Sequence, residues 1–278
     1  MSTSFSLSLK LLSILFLLVF VGISKSTAQS KIENSWAFGD EEYLEYTVSY
    51  HWGLIWIDAG KVDFKAKAIK NNDENAWHFF STGMSFRKFD WFFKVRDTFE
   101  VISSHKGLKP VRFKRHTHEG GYVIFNDYTF DHQNLSVTAI SEETRKARSI
   151  DTISITSKTL DVLTATYFVR SMDFKNMKMN DTLGIEMILD GVVFTLPIVF
   201  HGYETYKNRD GKKYNCIKFS ALLEKGTMFR AGEQLFVWVT NDKNKIPVMI
   251  EAKITVGSIK VNLSGFENLK HPLNSIVY

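Results

Sequence analysis

The sequence predicts a mainly β protein with one large antiparallel sheet, curved or incompletely closed like a barrel, and one central helix at about residues 158–174. Three observations predict this class. Segments of alternating apolar and polar residues recur from residue 41 onward, and a period of two is typical of half-buried strands. Aromatic residues make up 14% of the chain, with 23 Phe against 4 Pro, which suits pleated strands. One segment alone, residues 158–174, interrupts this pattern with helical spacing.

Residues 1–28 have the pattern of a cleavable signal peptide. Lys10 precedes the apolar run LLSILFLLVFVGI, and the small residues Ser26-Thr27-Ala28 follow it. This order is the secretory pattern, whereas the alternative, a retained membrane anchor, needs about 20 apolar residues. We therefore expect an exported protein that is periplasmic, associated with the outer membrane or secreted. We expect no transmembrane span in the mature chain.

The composition describes a folded chain with few chemical specialisations. Hydrophobic residues make up 44% and charged residues 23% of the chain, enough to bury a substantial core. The formal net charge of +5 is spread along the sequence, so we expect no nucleic-acid partner, which needs a concentrated basic face. Cys216 is the only cysteine, so no intramolecular disulfide forms and no lipid is attached to a cysteine at the cleavage site.

After the leader, residues 29–39 form a short lead-in and residues 40–278 form a single β-rich domain, either continuous or two-lobed about the helix. Alternation over 44–50 and 62–66, with His51-Trp52-Gly53 between them, predicts a hairpin. Further alternating segments follow at 77–80, 93–101, 111–114, 122–130 and 135–139.

The second half of the chain has turn signals of its own. Asp190-Gly191 and Asp210-Gly211 suit two-residue hairpin turns, in which both positions need positive φ. They predict the strand pairs 182–189 with 192–200, and 202–207 with 213–223. The last three strands are predicted at 233–240, 246–255 and 258–266.

The predicted helix, KTLDVLTATYFVRSMDF, is apolar on nearly all sides. Such a helix is normally buried, so we expect it to pack on or inside the sheet. About a dozen antiparallel strands must close or fold over, because a flat open sheet leaves exposed edges. A large barrel, an incomplete barrel around the helix, and a sandwich all satisfy this requirement.

Five polar residues form a candidate ligand-binding strip. Residues separated by one position on a strand point to the same side, and Lys94 lies in register with the strip. Because its positive charges oppose cation binding, we expect a solvated basic face or an anion-binding strip for phosphate, carboxylate or lipid headgroups, and no metal. The strip is continuous if its two strands are neighbours. Its members are Arg96, Arg112, Lys114, His116 and His118.

Trp52 and Trp56, beside Gly53, are two further candidates that would line the mouth of a pocket. Core or interface packing is the alternative for both. We expect Asp97 to point inward and to pair with Arg115. The chain contains no G-x-S-x-G, H-E-x-x-H or C-x-x-C motif, so the common hydrolase, zinc-protease and thiol-redox signatures are absent. We therefore predict no catalytic residue and no cofactor.

Several segments together resemble a known family. They are FKVRDTF (93–99), GLKPVRF (107–113), EGGY (119–122), DVLTATYFVR (161–170) and WVTND (238–242), followed by IPV (246–248) and VGS (256–258). Across residues 40–267 the chain resembles the bacterial envelope family catalogued as domain of unknown function 3108. The resemblance implies an exported, mostly antiparallel β protein and supplies no catalytic residues. Its sheet and helix resemble those of periplasmic lipoprotein carriers, which hold acyl chains in an unclosed barrel.

We therefore expect an exported envelope protein that binds a hydrophobic or amphipathic, lipid-like ligand without catalysis. The first alternative is a structural or scaffolding protein with an envelope protein as its partner, and the second is an uncharacterised enzyme. A carrier predicts a continuous apolar cavity of several hundred Å³, roughly the size of small-molecule sites. A scaffold predicts a filled interior and an exposed apolar patch.

Overall fold

The computed structural model describes residues 36–222, 234–253 and 257–278. The predicted leader therefore lies outside the described residues, as do the ends of the strands predicted at 213–223, 233–240 and 246–255. The described residues contain one α-helix, α1 (Val162–Arg170), a 3₁₀ turn (Arg87–Phe89) and fifteen strands. The strands are β1 (Glu42–Trp52), β2 (Ile55–Asn71), β3 (Glu74–Ser85), β4 (Val95–Ser104), β5 (Pro110–Glu119), β6 (Tyr122–Asp131), β7 (Ser136–Glu143), β8 (Lys146–Ser154), β9 (Thr182–Leu189), β10 (Val192–Lys207), β11 (Lys213–Leu222), β12 (Gln234–Thr240), β13 (Pro247–Lys253), β14 (Ser258–Glu267) and β15 (Ile276–Val277).

All fifteen strands belong to one antiparallel sheet. Its order is β8-β7-β6-β5-β4-β3-β2-β1-β14-β13-β12-β11-β10-β9, and the short β15 pairs with β11. The N-terminal and C-terminal halves join where β1 pairs with β14, with Tyr50 opposite Ile259. The ends of this order, β8 and β9, are not paired with each other in the described part of the chain. The predicted fold class, an unclosed barrel-like sheet with one helix, is confirmed.

The turn between β9 and β10 packs onto the inner side of β5 and β6. The backbone N–H of Gly191 donates a hydrogen bond to the Tyr128 hydroxyl at 2.9 Å, and Arg115 Nη1 lies 2.7 Å from Asp190 Oδ1. The Asp190-Gly191 turn has positive φ at both residues, as its sequence predicts. These contacts curl the open sheet so that its C-terminal edge meets its N-terminal half.

Helix α1 lies against the inner side of the sheet and is shorter than predicted. Asp161 has an extended backbone and caps the helix by accepting from the N–H groups of Leu163 and Thr164, so the helix cannot begin at residue 158. Just before it, Leu160 bridges in parallel to Met187 of β9. The helix contacts β9, β3 and β4. It therefore spans from the C-terminal edge strand to the N-terminal half of the sheet.

Aromatic side chains fix the far end of the helix. Tyr167 stacks on Phe79 with ring centroids 4.0 Å apart, and Phe38 meets Tyr167 edge-on at 4.9 Å. Trp36 and Phe38 are both buried, so the end of the predicted lead-in contributes to the core. Edge-on and offset contacts of this kind are the preferred geometry of aromatic pairs.

Other sequence-based assignments also need correction. The segments 192–200 and 202–207, predicted as separate strands, form the single strand β10. A register shift between Phe200 and Tyr203 marks a bulge within it, and Gly202 has a φ of +90°, which glycine adopts at little cost. The strand β8 was not predicted.

No helix in the described ranges is both long and apolar enough to cross a bilayer.

Candidate functional site

A cavity of about 140 Å³ lies between α1 and the inner side of the sheet. Its walls come from α1 and from strands β1, β2 and β9 to β14, and they are almost entirely aliphatic or aromatic. Small side chains leave the space open, notably Ala165 on the helix and Ala221 on β11. Alternation places these strand residues inward, because every second residue of a strand faces the same side. The lining includes Tyr46, Ala165, Tyr167, Arg170 and Ala221.

Two tyrosine hydroxyls are the unusual feature of this apolar cavity. Tyr46 on β1 and Tyr167 on α1 both line it, and each is 1% exposed. Neither hydroxyl has a hydrogen-bond partner among the described residues. Burial raises the pKa of both groups well above the ordinary value of tyrosine, so both remain protonated donors. A buried hydroxyl without a partner costs about 1–3 kcal/mol, and a ligand acceptor would recover that cost.

A buried ion pair lies beside these hydroxyls. Arg170, the last residue of α1, donates from Nη1 to Glu42 Oε1 at 2.7 Å and from Nη2 to Glu42 Oε2 at 3.0 Å. The same guanidinium donates to the carbonyl of Asn244. Burial disfavours its charge, but the Glu42 carboxylate outweighs this effect and holds the pKa of Arg170 above its usual value. The cation is therefore satisfied by protein groups and tethers α1 to β1.

The predicted basic strip lies on the outer face of the sheet and does not line the cavity. Strands β4 and β5 are neighbours, as the continuous strip requires, with Arg96 opposite His118. Arg96, His116 and His118 border one shallow surface groove together with Lys94. The condition for a continuous strip is met, and a ligand-binding role for its residues stays a prediction.

Acidic neighbours reduce the charge of this strip. Arg96 Nη2 lies 2.6 Å from Asp90 Oδ2, and Arg112 Nη2 lies 2.6 Å from Asp127 Oδ2. Lys114 faces Glu100 across the β4–β5 pair. An anion would meet carboxylates here as well as cations.

The two predicted tryptophans lie at the tip of the β1–β2 hairpin. The side chain of Trp52 is outside the described part of the structure, and its backbone ends β1. Trp56 is partly exposed, with the guanidinium of Arg209 5.1 Å and Nζ of Lys260 5.3 Å from its ring centroid. Trp56 does not line the cavity. Trp56 instead lies at an end of the sheet that faces solvent.

The expected pairing of Asp97 with Arg115 is wrong. Both side chains point inward and are buried, but Arg115 pairs with Asp190 at 2.7 Å because the β9–β10 turn packs beside it. Asp97 Oδ1 accepts from the His118 N–H at 3.1 Å, and burial raises the pKa of Asp97 to about 7. Within the described ranges, no cluster of three or more His, Cys, Asp or Glu side chains could hold a metal ion.

The profile of the family described as "Protein of unknown function (DUF3108)" matches residues 45–264. The chain belongs to this family. The matched segment of this DUF3108 protein contains every cavity-lining residue except Leu44. A search of curated proteins finds no match.

Among solved structures, the DUF3108 chain is similar to a beta-barrel-like protein of domain of unknown function DUF1849 from Brucella abortus. The two share 7% sequence identity with a TM-score of 0.54, and the match covers 85% of this chain and 99% of that chain. At this identity the likeness concerns the fold. It supports the unclosed barrel described above and assigns no activity.

Proposed function

We propose that this DUF3108 protein is a non-catalytic binding protein of the bacterial envelope that holds the apolar part of an amphipathic, lipid-like ligand between α1 and the sheet. The observation that carries the proposal is an apolar cavity lined in part by two tyrosines whose buried hydroxyls have no hydrogen-bond partner among the described residues. Apolar walls with a few polar groups that orient the ligand are typical of small-molecule sites.

The size of the cavity limits what fits. At about 140 Å³ it is smaller than the several hundred Å³ expected for a carrier. An apolar protein cavity of about 150 Å³ holds benzene, so the space accommodates a ring or a short stretch of acyl chain. A longer chain requires either that α1 moves outward or that most of the ligand stays outside.

The polar groups indicate a neutral acceptor on the ligand. Tyr46 and Tyr167 offer two donors, suited to the carbonyl of an ester or amide. Arg170 is already satisfied by Glu42 and by the carbonyl of Asn244. An anionic group would therefore meet the Glu42 carboxylate without a free cation, which is costly in a buried site.

The location in the envelope rests on the signal-peptide pattern of residues 1–28. Cell fractionation and the mass of the purified protein test it. A mature N-terminus at Gln29 supports export, and an intact leader on a cytoplasmic protein contradicts it.

Native mass spectrometry of the exported protein, purified without detergent, tests the binding proposal. We expect a population with added mass that extraction into organic solvent removes, and displacement by a fluorescent acyl probe. Ala221→Leu fills the cavity, so it should abolish probe binding while leaving the thermal stability unchanged or higher. Ala139→Leu is the matched control, because Ala139 is buried elsewhere on the inner face. It should lower the stability by overpacking, by about 1–3 kcal/mol.

Tyr46→Phe and Tyr167→Phe test the polar part of the proposal. Each removes one hydroxyl that the protein itself leaves unpaired, so the apo protein should not be destabilised. Affinity for an ester-bearing probe should fall, whereas affinity for a simple alkane should not. Equal affinity of all variants for the ester probe would contradict the role given to the hydroxyls.

A further inference from the structure

Apolar side chains are concentrated in two loops at one end of the sheet. Thirteen large hydrophobic side chains are exposed in the described residues, and six of them belong to these loops. The first loop is the tip of the β1–β2 hairpin, where Leu54 is fully exposed. The second connects β3 to β4, where Trp91 is 84% exposed. The other four are Ile55, Trp56, Ile57 and Phe92.

The two loops are neighbours. Gly60 of β2 pairs with Ser85, the last residue of β3, and the N–H of Phe86 donates to the carbonyl of Ala59 at 2.9 Å. On its other side, the hairpin's pairing with β14 stops at His51 and Ser258. Trp56 and Ile57 are level with the last described β1–β14 pairs, whereas residues 53–55 lie beyond the described pairs with both neighbouring strands, next to the β3–β4 loop. We call residues 53–57 and 87–94 the apolar tip.

Three basic residues belong to the 87–94 segment of the apolar tip. Arg87, Lys88 and Lys94 are exposed, and no ion pair involves them among the described residues. The acidic residues nearby are already paired, since Asp58 binds Arg209 and Asp90 binds Arg96. The tip therefore combines exposed hydrophobic groups with exposed basic side chains that form no ion pair among the described residues.

We infer that the apolar tip docks this protein on the surface of an anionic lipid bilayer. Trp side chains beside Lys and Arg are enriched at membrane–water interfaces, and basic residues near an anionic surface add to the binding. A protein partner fits less well, because lysine is depleted in protein–protein interfaces. Single side chains on two protruding loops also offer no flat face for such a partner. This surface is separate from the cavity and needs no cavity ligand.

Sedimentation with vesicles tests the inference. The protein is purified from the exported fraction and its N-terminus checked by mass, because an uncleaved leader would itself bind lipid. We expect binding to phosphatidylcholine vesicles that contain phosphatidylglycerol, and much weaker binding without it. Leu54→Ser and Trp91→Ser should each lower the partition coefficient by about tenfold. Lys88→Gln and Lys94→Gln should each lower it by about fivefold, and only on anionic vesicles.

Matched controls separate docking from general stickiness. Met179, exposed at 68%, lies before β9 and outside the apolar tip, and Met179→Ser should leave vesicle binding unchanged. Brominated acyl chains should quench part of the tryptophan fluorescence. Trp91→Phe should reduce that quenching while keeping the binding, because Trp56 is the other exposed tryptophan of the tip. Circular dichroism confirms that each variant is folded.

Other results would overturn the inference. They are the absence of binding to anionic vesicles, binding that Leu54→Ser and Trp91→Ser do not weaken, or self-association through the tip without vesicle binding, which would make the partner a second copy of the chain. Tyr46→Phe with Tyr167→Phe should not alter vesicle binding. The cavity proposal and the docking proposal can therefore fail separately.

Discussion

Breaking the buried pair of Glu42 and Arg170 is expected to cost more stability than breaking any ion pair on the surface. Glu42 has a side-chain exposure of 0% and Arg170 of 4%. Arg170→Met would leave the carboxylate buried without a counterion, and Glu42→Met would do the same to the guanidinium. Removing one partner of a buried pair costs about 3–5 kcal/mol. That is a large share of the roughly 5–15 kcal/mol that stabilises a typical domain.

The double variant Glu42→Met/Arg170→Met should be much more stable than either single variant. It buries no charge, and it loses mainly the hydrogen bonds to the carbonyl of Asn244, at about 1–2 kcal/mol. Replacing a buried pair by apolar groups is often close to neutral. The two single effects are therefore expected to be far from additive.

Urea unfolding followed by circular dichroism measures these differences. Lys61→Met is the control, because its pair with Glu45 is more than a third exposed on both sides and should contribute under about 1 kcal/mol. If a single variant does not fold, recovery of a cooperative transition in the double variant still supports the reasoning. Single losses below about 1 kcal/mol, or a double loss equal to their sum, would refute it.

Three further predictions concern buried titratable groups. The pKa of Asp97 in the folded protein is about 7, against an ordinary value of 3.8. Between these two pH values the folded state holds a proton that the unfolded state releases. The free energy of unfolding should therefore fall by up to about 4 kcal/mol between pH 4 and pH 7. Asp97→Asn should flatten that dependence in unfolding curves measured across this range, and an unchanged slope would contradict the assignment. Asp161→Ala should destabilise the protein by about 1–2 kcal/mol through loss of the α1 cap, whereas Asp161→Asn should lose less; equal losses would argue against capping. Cys216 is buried and its pKa is raised to about 12, so iodoacetamide should label it at pH 8 only after denaturation, and rapid native labelling would contradict this.

Much of the fold was predictable because alternation is a local signal. In β1, inward Leu44, Tyr46 and Val48 alternate with less buried residues, and the strand was predicted from that pattern. The Asp190-Gly191 turn was likewise predicted from its chemistry and lies between β9 and β10. The missed strand β8 has mostly exposed side chains on both faces, because it is an edge strand. An edge strand without a buried face has no period to detect.

The candidate site was less predictable because its members come from distant parts of the chain. Tyr46 was expected to point inward from its place in the alternation. Its lack of a hydroxyl partner, however, depends on how α1 and Tyr167 pack above it. Arg170 lies 128 residues from Glu42, and no local pattern connects them. An arginine within an otherwise apolar helix was the one available signal, since such a residue needs a buried partner.

The site residues predicted from the sequence are charged or aromatic. Such residues occur on protein surfaces as readily as they line cavities. His116 and His118 do point to one side, as strand geometry requires, but that side is the outer face. Whether a strand residue faces inward or outward depends on which face of the strand packs against the core. In β5 the inward face includes Arg115. The pairing of Arg115 with Asp190 required the fold itself.

The most direct test of the account is the electron density inside the cavity of the exported protein, crystallised after purification without detergent. The binding proposal predicts electron density for an apolar segment of a ligand beside Ala221. It also predicts an acceptor atom of that ligand within hydrogen-bonding distance of the Tyr46 or Tyr167 hydroxyl. An empty cavity, or one that holds only water bound to those hydroxyls, in a protein that also fails to take up an acyl probe, would contradict it.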